Sequence, residues 1–368
     1  MRILLLTHSL TAGGEQRVAS LWATGFINRG HEVALVLGSS KKLPRSYHVS
    51  SQTKIYHVYS LLAHYLYRGL GVKWYYTIKL KQIIKDFRPD LIISLHHPWT
   101  EWAKIATTGT KVPIISTEHT TFERPESAKM PPIVYQRKYE LNRQYDFVTV
   151  LTAADKACLK GHLDKVAVLP NPLAYTPVTV IPPKENIILA VGQLHSWHYK
   201  GLDILIRAWG QISKQHLDWK LQIAGRDGNN SQSYLQAIAN EYDLGTQLEF
   251  LGFQSDMYPI YQRASIFVLS SRYEGFGMAL TEAMSQGCAC IACDYKGRQH
   301  EIITEESQGI LCPPEDVAAL AAAIKRMLTD TNYRAMAQKN AVERSHYYHI
   351  NNIMNQWESI IKEVMTAS

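Results

Sequence analysis

The stretch SIFVLSSRYEGFGMALTEAMSQG, residues 265–287, decides the fold. It opens with the apolar run Ile266–Leu269, the pattern of a strand whose sheet is covered on both faces. Gly275 and Gly277 break the run. Apolar residues then recur at helical spacing until Gly287 stops them. A strand that feeds a helix through a glycine turn is the repeating unit of a parallel α/β sheet.

The same unit recurs on both sides. Before it stand NIILAVG with GLDILIRAWGQIS, WKLQIAG with SYLQAIANEYDL, and QLEFLGF with DMYPIYQRA; after it stand ACIACD and EDVAALAAAIKRMLTD. The first half reads likewise: RILLLTH, the helical GGEQRVASLWATGFINRG, then HEVALVLG, DLIISLHH, VPIISTEH and DFVTVLT. Between the halves, LPNPLAYTPVTVIPPKEN (169–186) carries five prolines and reads as the linker. The expectation is an α/β protein of two tandem, doubly wound, Rossmann-like parallel-sheet domains, 1–172 and 173–349, facing across a cleft. Ile353, Met354, Trp357, Ile360, Ile361 and Val364 form one helical stripe that must be buried. A helix over 350–366 packing back on the first domain is predicted.

Composition narrows the class. The chain has 368 residues, 46% hydrophobic and 19% charged, which suits a globular protein of about two domains. MRILLL gives way to polar residues too early for a secretory leader, and no run is long enough to span a membrane. The odd count of five cysteines argues against a disulfide framework and for a cytoplasmic protein. CACIACD reads either as a zinc site or, better, as a buried strand using Cys as a small hydrophobe.

Charge is uneven. Residues 1–180 hold 23 Lys+Arg against 12 Asp+Glu, and residues 181–368 hold 16 against 20, so +11 meets −4 within the net +7. Lys73, Lys79 and Lys81, with Arg68 and the aromatics of LLAHYLYRGLGVKWYY, read as a solvated helical face or as a surface for an anionic membrane or acceptor. No groove-reading or RNA-binding motif appears, so nucleic acid is not expected.

Three stretches carry chemistry. Gly13 and Gly14 lie where the first strand turns into a helix, a place for an anion on bare amides. In AVGQLHSWHYKG, Gly192 ends a strand and Lys200 precedes a helix, where it can neutralise phosphate. In SSRYEGFGMALTEAM, amides at a helix start again suit an anion. Glu274 and Glu282 beside an anion site make sense if they bind neutral hydroxyls. A sugar–diphosphate–ribose ligand supplies both.

The order AVGQL…KG, IAG, FLGF, SSRYEGFGMALTEAMSQG, D…KGRQHEII and GILCPPED resembles the retaining glycosyltransferases of family 4, which have the GT-B fold. The pair Glu274 and Glu282 matches their Glu-x7-Glu motif, and the resemblance reaches back to GGEQR. It implies an acceptor-binding first domain and a donor-binding second one. Gly14 would lie against the donor diphosphate, Lys200 would bind it, and Glu282 would hold the ribose. Glu274 would contact the transferred sugar beside the amides of Phe276, Gly277 and Met278. Phe253 and the turn at Gly225 would meet the base. His119, otherwise a core histidine, would face the transferred sugar and acceptor.

The resemblance further implies transfer with retention from a nucleotide-sugar, favouring UDP-hexose or UDP-N-acetylhexosamine over GDP-mannose. The acceptor would be a glycan or lipid-linked sugar of cell-surface polysaccharide synthesis, at the inner membrane face. No Asp-x-Asp pair appears, so neither metal nor other cofactor is expected. Three departures matter: Gln193 stands where the family has an arginine that helps Lys200 hold phosphate, the loop from Gln193 to Lys200 is a residue or two longer than usual, and the acid of GGEQR sits one place earlier than in the common Gly-Gly-small-Glu-Arg. Arg272 or Arg17 would have to substitute for the arginine. The alternatives are an inactive nucleotide-sugar-binding partner and a GT-B UDP-sugar epimerase.

Overall fold

The computed structural model describes residues 1–61, 70–95 and 97–367. The chain divides into two compact units: residues 1–123, 129–174 and 350–368 form the first, and residues 124–128 and 175–349 the second.

The first unit is built on a sheet of seven strands: β1 (Arg2–Thr7), β2 (Glu32–Leu37), β3 (Lys54–His57), β4 (Leu91–Ser94), β5 (Ile114–Thr117), β6 (Phe147–Val150) and β7 (Val166–Val168). Their order is β3-β2-β1-β4-β5-β6-β7, and every pairing is parallel. The second unit has six: β8 (Glu185–Val191), β9 (Lys220–Ala224), β10 (Leu248–Gly252), β11 (Ala264–Leu269), β12 (Ala289–Cys293) and β13 (Gly309–Cys312). Their order is β10-β9-β8-β11-β12-β13, again all parallel. In each sheet the chain reverses its direction of winding next to the first strand, between β1 and β4 and between β8 and β11. Ligands of such sheets bind beyond the carboxyl ends of the strands at that switch.

The apolar runs are the buried central strands; Ile266, Phe267, Val268 and Leu269 of β11 are at most 3% exposed. CACIACD is β12 and its approach. Cys288, Cys290, Cys293 and Cys312 are buried free thiols, and no metal-binding cluster occurs among the described residues. Burial pushes the Cys288 thiol up to about 11 and the Cys293 thiol to about 12, so both stay protonated and inert.

The last helix, Ile350–Ala367, belongs to the first unit. Its stripe lies on the helix Gly14–Asn28: Trp357 meets Trp22 edge-on at 4.9 Å, and Met354 fills the space left by Gly25. Arg29 donates to the Asn351 carbonyl and Asn355 Oδ1, and His31 Nε2 lies 2.9 Å from Glu358. The proline-rich segment is divided between the units: residues 169–174 belong to the first and 175–186 to the second, where Lys184 donates to the carbonyls of Tyr261 and Gln286.

Among the described residues no helix is long and apolar enough to cross a membrane. The basic stretch includes the helix Leu70–Phe87. There Lys73 pairs with Glu101, Lys79 reaches Gln82, and Lys81 and Trp74 are exposed. Arg68 lies outside the described residues.

Candidate functional site

In the second unit, glycines let three turns converge at the switch between β8 and β11. A Cβ on Gly225, after β9, would sit 1.8 Å from the Gly192 carbonyl oxygen. A Cβ on Gly192, after β8, would touch the aliphatic stem of Lys200. Gly201 has φ +59°, and its Cβ would fall 1.9 Å from the Ser270 carbonyl oxygen. The β8 turn is stitched to the β11 turn: Ser270 Oγ donates to the Lys200 carbonyl, and the Arg272 amide to that of Tyr199.

This stitching delivers Lys200 to Glu274. Lys200 Nζ donates to Glu274 Oε1 at 2.6 Å, and Ser271 Oγ donates to the same oxygen at 2.7 Å. Glu274 precedes Gly277, whose φ of +95° turns the chain into the helix Met278–Ser285. The first amides of a helix have no partner within it. Those of Met278 and its neighbours therefore make an anion-seeking end beside Lys200. The Phe276 side chain is buried edge-on against Tyr348, so only its backbone is left for a ligand.

Glu282 lies on the same helix, buried at 5% exposure, and accepts a hydrogen bond from Tyr261 Oη at 3.0 Å. Phe253 follows β10, 43% exposed, with the Arg226 guanidinium 4.8 Å from its ring centroid. Gln193 Oε1 is buried and has no hydrogen-bond partner. Arg272 does not replace the absent arginine. It is buried and forked onto Asp203 at 2.8 and 2.9 Å, with Nε donating to Glu315 at 2.8 Å, so its charge is spent on structure. Arg17 belongs to the first unit, over the Tyr47 ring.

In the first unit, Gly14 begins the helix after β1, and the Gly13 amide donates to Tyr47 Oη. Glu15, the acid of GGEQR, lies next to them. Burial pushes its carboxyl up to about 7, and Thr7 Oγ1, at the end of β1, donates to it at 3.1 Å. His119 follows β5. Thr117 Oγ1 lies 3.1 Å from the Ser94 carbonyl, which can only accept, so the hydroxyl proton goes there. The same oxygen, 2.9 Å from His119 Nε2, must then accept. Neutral His119 therefore carries its proton on Nε2, leaving Nδ1 as the basic nitrogen.

Beneath His119 is a buried ion pair that pattern reading missed. Glu118 accepts from Lys138 Nζ at 2.8 Å and from Asn142 Nδ2 at 2.9 Å. Burial works to raise the Glu118 carboxyl, but the Lys138 charge and these bonds hold it below the usual range. The pair ties the His119 turn to the helix Pro132–Tyr139. The only sequence signal was an acid beside the histidine in STEHT.

Comparison with known proteins gives a consistent answer for the whole chain. Residues 12–174 match the family described as Glycosyltransferase Family 4, and residues 174–344 match Glycosyl transferases group 1. A Campylobacter jejuni protein, GalNAc-alpha-(1->4)-GalNAc-alpha-(1->3)-diNAcBac-PP-undecaprenol alpha-1,4-N-acetyl-D-galactosaminyltransferase, is 24% identical, with 100% of each chain covered. An uncharacterized glycosyltransferase of Haemophilus influenzae is 24% identical over 95% of this chain and 97% of its own. Among solved structures, sucrose-phosphate synthase of Thermosynechococcus elongatus has TM-score 0.83 at 20% identity, covering 100% of both chains. Anabaena HepE in complex with UDP and glucose has TM-score 0.79 at 20% identity, covering 98% of this chain and 99% of its own.

Proposed function

We propose, for a chain that belongs to the family 4 glycosyltransferases and has their GT-B fold, that it moves a hexose or N-acetylhexosamine from UDP to a lipid-linked or other glycan acceptor, with retention. GDP-mannose is the second choice of donor. The work is glycan assembly, the task named for its relatives in lipid-linked and lipopolysaccharide synthesis. The carrying observation is the Lys200–Glu274 pair at the β8–β11 switch, beside a helix start.

On this reading Lys200 and the helix amides take the diphosphate, and Glu282 takes the ribose hydroxyls. Glu274 takes a hydroxyl of the transferred sugar, and Phe253 meets the base. Glu274 is already committed to Lys200 and Ser271, which suits a sugar-binding acid better than a free nucleophile. Attack on the face the diphosphate leaves, with a departing phosphate oxygen accepting the acceptor's proton, gives retention without a covalent intermediate. Lys200 and the helix amides stabilise the leaving charge, so turnover without a divalent cation is expected. His119 is assigned to the reacting sugars.

The test is calorimetric titration of UDP, GDP, ADP and dTDP into wild type and Glu282→Ala, without metal. Micromolar binding of one nucleotide, lost in the variant, supports the reading. Binding of none would favour an inactive partner, the second reading, for which the neutral Gln193 is the specific observation. Turnover of a UDP-sugar to its epimer without acceptor would point to an epimerase.

A further inference from the structure

The donor site as described is short of positive charge. Lys200 is balanced by Glu274, Glu282 adds a second carboxylate, and Gln193 is neutral. Arg272 is neutralised by Asp203 and Glu315. A diphosphate is anionic on both phosphates, and one shared lysine is a weak counter-charge for it.

Arg226 is stacked on Phe253, at the base end of the site, and a second arginine lies near the Lys200–Glu274 pair. Residues 124–128 cluster with the second unit, although the residues on either side of them belong to the first. Within that unit the Arg124 guanidinium lies over the ring of Tyr273, 5.8 Å from its centroid. Tyr273 is the residue before Glu274. Its ring also packs at 5.5 Å against Tyr199, the residue before Lys200. Arg124 is thus held against Tyr273, the neighbour of Glu274, which packs in turn on Tyr199, the neighbour of Lys200. Burial raises the Tyr273 phenol; Arg124 opposes this, and Glu274 reinforces it.

Arg124 Nε is buried without a hydrogen-bond partner, and among the described residues no carboxylate pairs with the guanidinium. A buried, unsatisfied guanidinium donor is costly unless a ligand meets it. Its planar fork suits phosphate oxygens.

We propose that Arg124 binds the donor diphosphate and supplies the charge that Gln193 does not. The assignment rests on the donor reading given above. It makes the short strap 124–128 part of the donor site, so the arginine comes from a part of the chain far in sequence from the other phosphate-binding residues. A lipid-linked acceptor joined through diphosphate presents the same chemistry, and the experiment separates the two.

UDP, with GDP in parallel, and uridine are titrated into wild type, Arg124→Ala and Arg124→Lys, each checked for unchanged thermal unfolding. Arg124→Ala is expected to weaken UDP binding about ten- to a hundredfold, the range for a lost charge-assisted bond. Uridine binding stays the same, and Arg124→Lys recovers part of the loss. Equal UDP affinity in wild type and Arg124→Ala overturns the assignment. An equal loss for uridine also overturns it, because the role is then packing. A raised acceptor KM with unchanged UDP binding moves the contact to the acceptor and overturns it too. If wild type binds neither UDP nor GDP, the donor reading itself fails and takes this assignment with it.

Discussion

Lys200 and Glu274, 74 residues apart in sequence, meet at 2.6 Å through turns that only glycines at 192, 201 and 225 permit. The lysine is thus divided between a carboxylate and any phosphate that arrives. Removing Glu274 frees Lys200 for the phosphate. On the proposed reading, Glu274→Gln should bind UDP as tightly as wild type or more tightly, while kcat falls about a hundredfold or more as the proposed sugar contact is lost. Titration and steady-state rates on one preparation check this. A Glu274→Gln protein that loses UDP binding would place the acid on the nucleotide instead.

Tyr261 has a role that only the structure revealed. Its ring is fully buried, and its hydroxyl donates to the buried Glu282 carboxylate. Tyr261→Phe strips that donor, at a cost of roughly 1–3 kcal/mol in stability. In a unit of this size that lowers Tm by about 2–4 °C per kcal/mol. If Glu282 holds the ribose as proposed, UDP affinity should fall several-fold, because the carboxylate loses the bond that orients it. Calorimetry of unfolding and of UDP binding measures both effects.

The close approach of Gly225 to Gly192 yields a steric prediction. Gly225→Ala would drive a methyl to within 1.8 Å of a backbone oxygen, and neither strand end can retreat without breaking its ladder. The variant should lose at least about 3 kcal/mol or fail to fold its second unit. Gly109→Ala is the comparison: φ is +86° with nothing within 4 Å, so only backbone strain applies, about 1–2 kcal/mol. Denaturant midpoints of the two variants compare clash with strain.

The basic helix Leu70–Phe87 carries the membrane expectation in reduced form. Lys73 is tied to Glu101, whereas Lys79 and Lys81 have no carboxylate partner among the described residues. The double variant Lys79→Glu/Lys81→Glu should sediment less with anionic liposomes at low salt, at about 1 kcal/mol per removed lysine. The same change at Lys73 should matter less. Equal sedimentation of the double variant and wild type would remove this helix from any membrane role.

What the sequence made legible follows from where the strands lie. Central strands buried on both faces announce themselves as apolar runs; RILLLTH is β1 and SIFVLSS contains most of β11. The strands that escaped were β3, β7 and β13, all of three or four residues and all at sheet edges. Half-exposed edges need no continuous apolar run, so KIYH leaves little trace. In the site, Glu274, Lys200 and the glycines were readable because they punctuate turns. Tyr261, Ser271, the Glu118–Lys138 pair and Arg124 were not, because each gains its meaning from a partner elsewhere in the chain. Arg272 misled for the same reason, since its partners Asp203 and Glu315 lie far off in sequence.

Glu15 supplies a pH dependence of definite sign. Burial raises its carboxyl from 4.5 in the unfolded chain to about 7 in the fold. The native state therefore binds the extra proton between those values, and stability falls as pH rises through that window. Glu15→Gln keeps an oxygen for the Thr7 hydroxyl but never ionises. The variant should match wild type near pH 4 and exceed it above pH 7 by up to about 3 kcal/mol, the linkage value for such a shift. Urea unfolding at pH 4.5 and pH 8 reads the difference. A wild-type protein that gains stability relative to Glu15→Gln on going to pH 8 would mean that the carboxylate is paired in the fold, with a cation that burial alone does not supply.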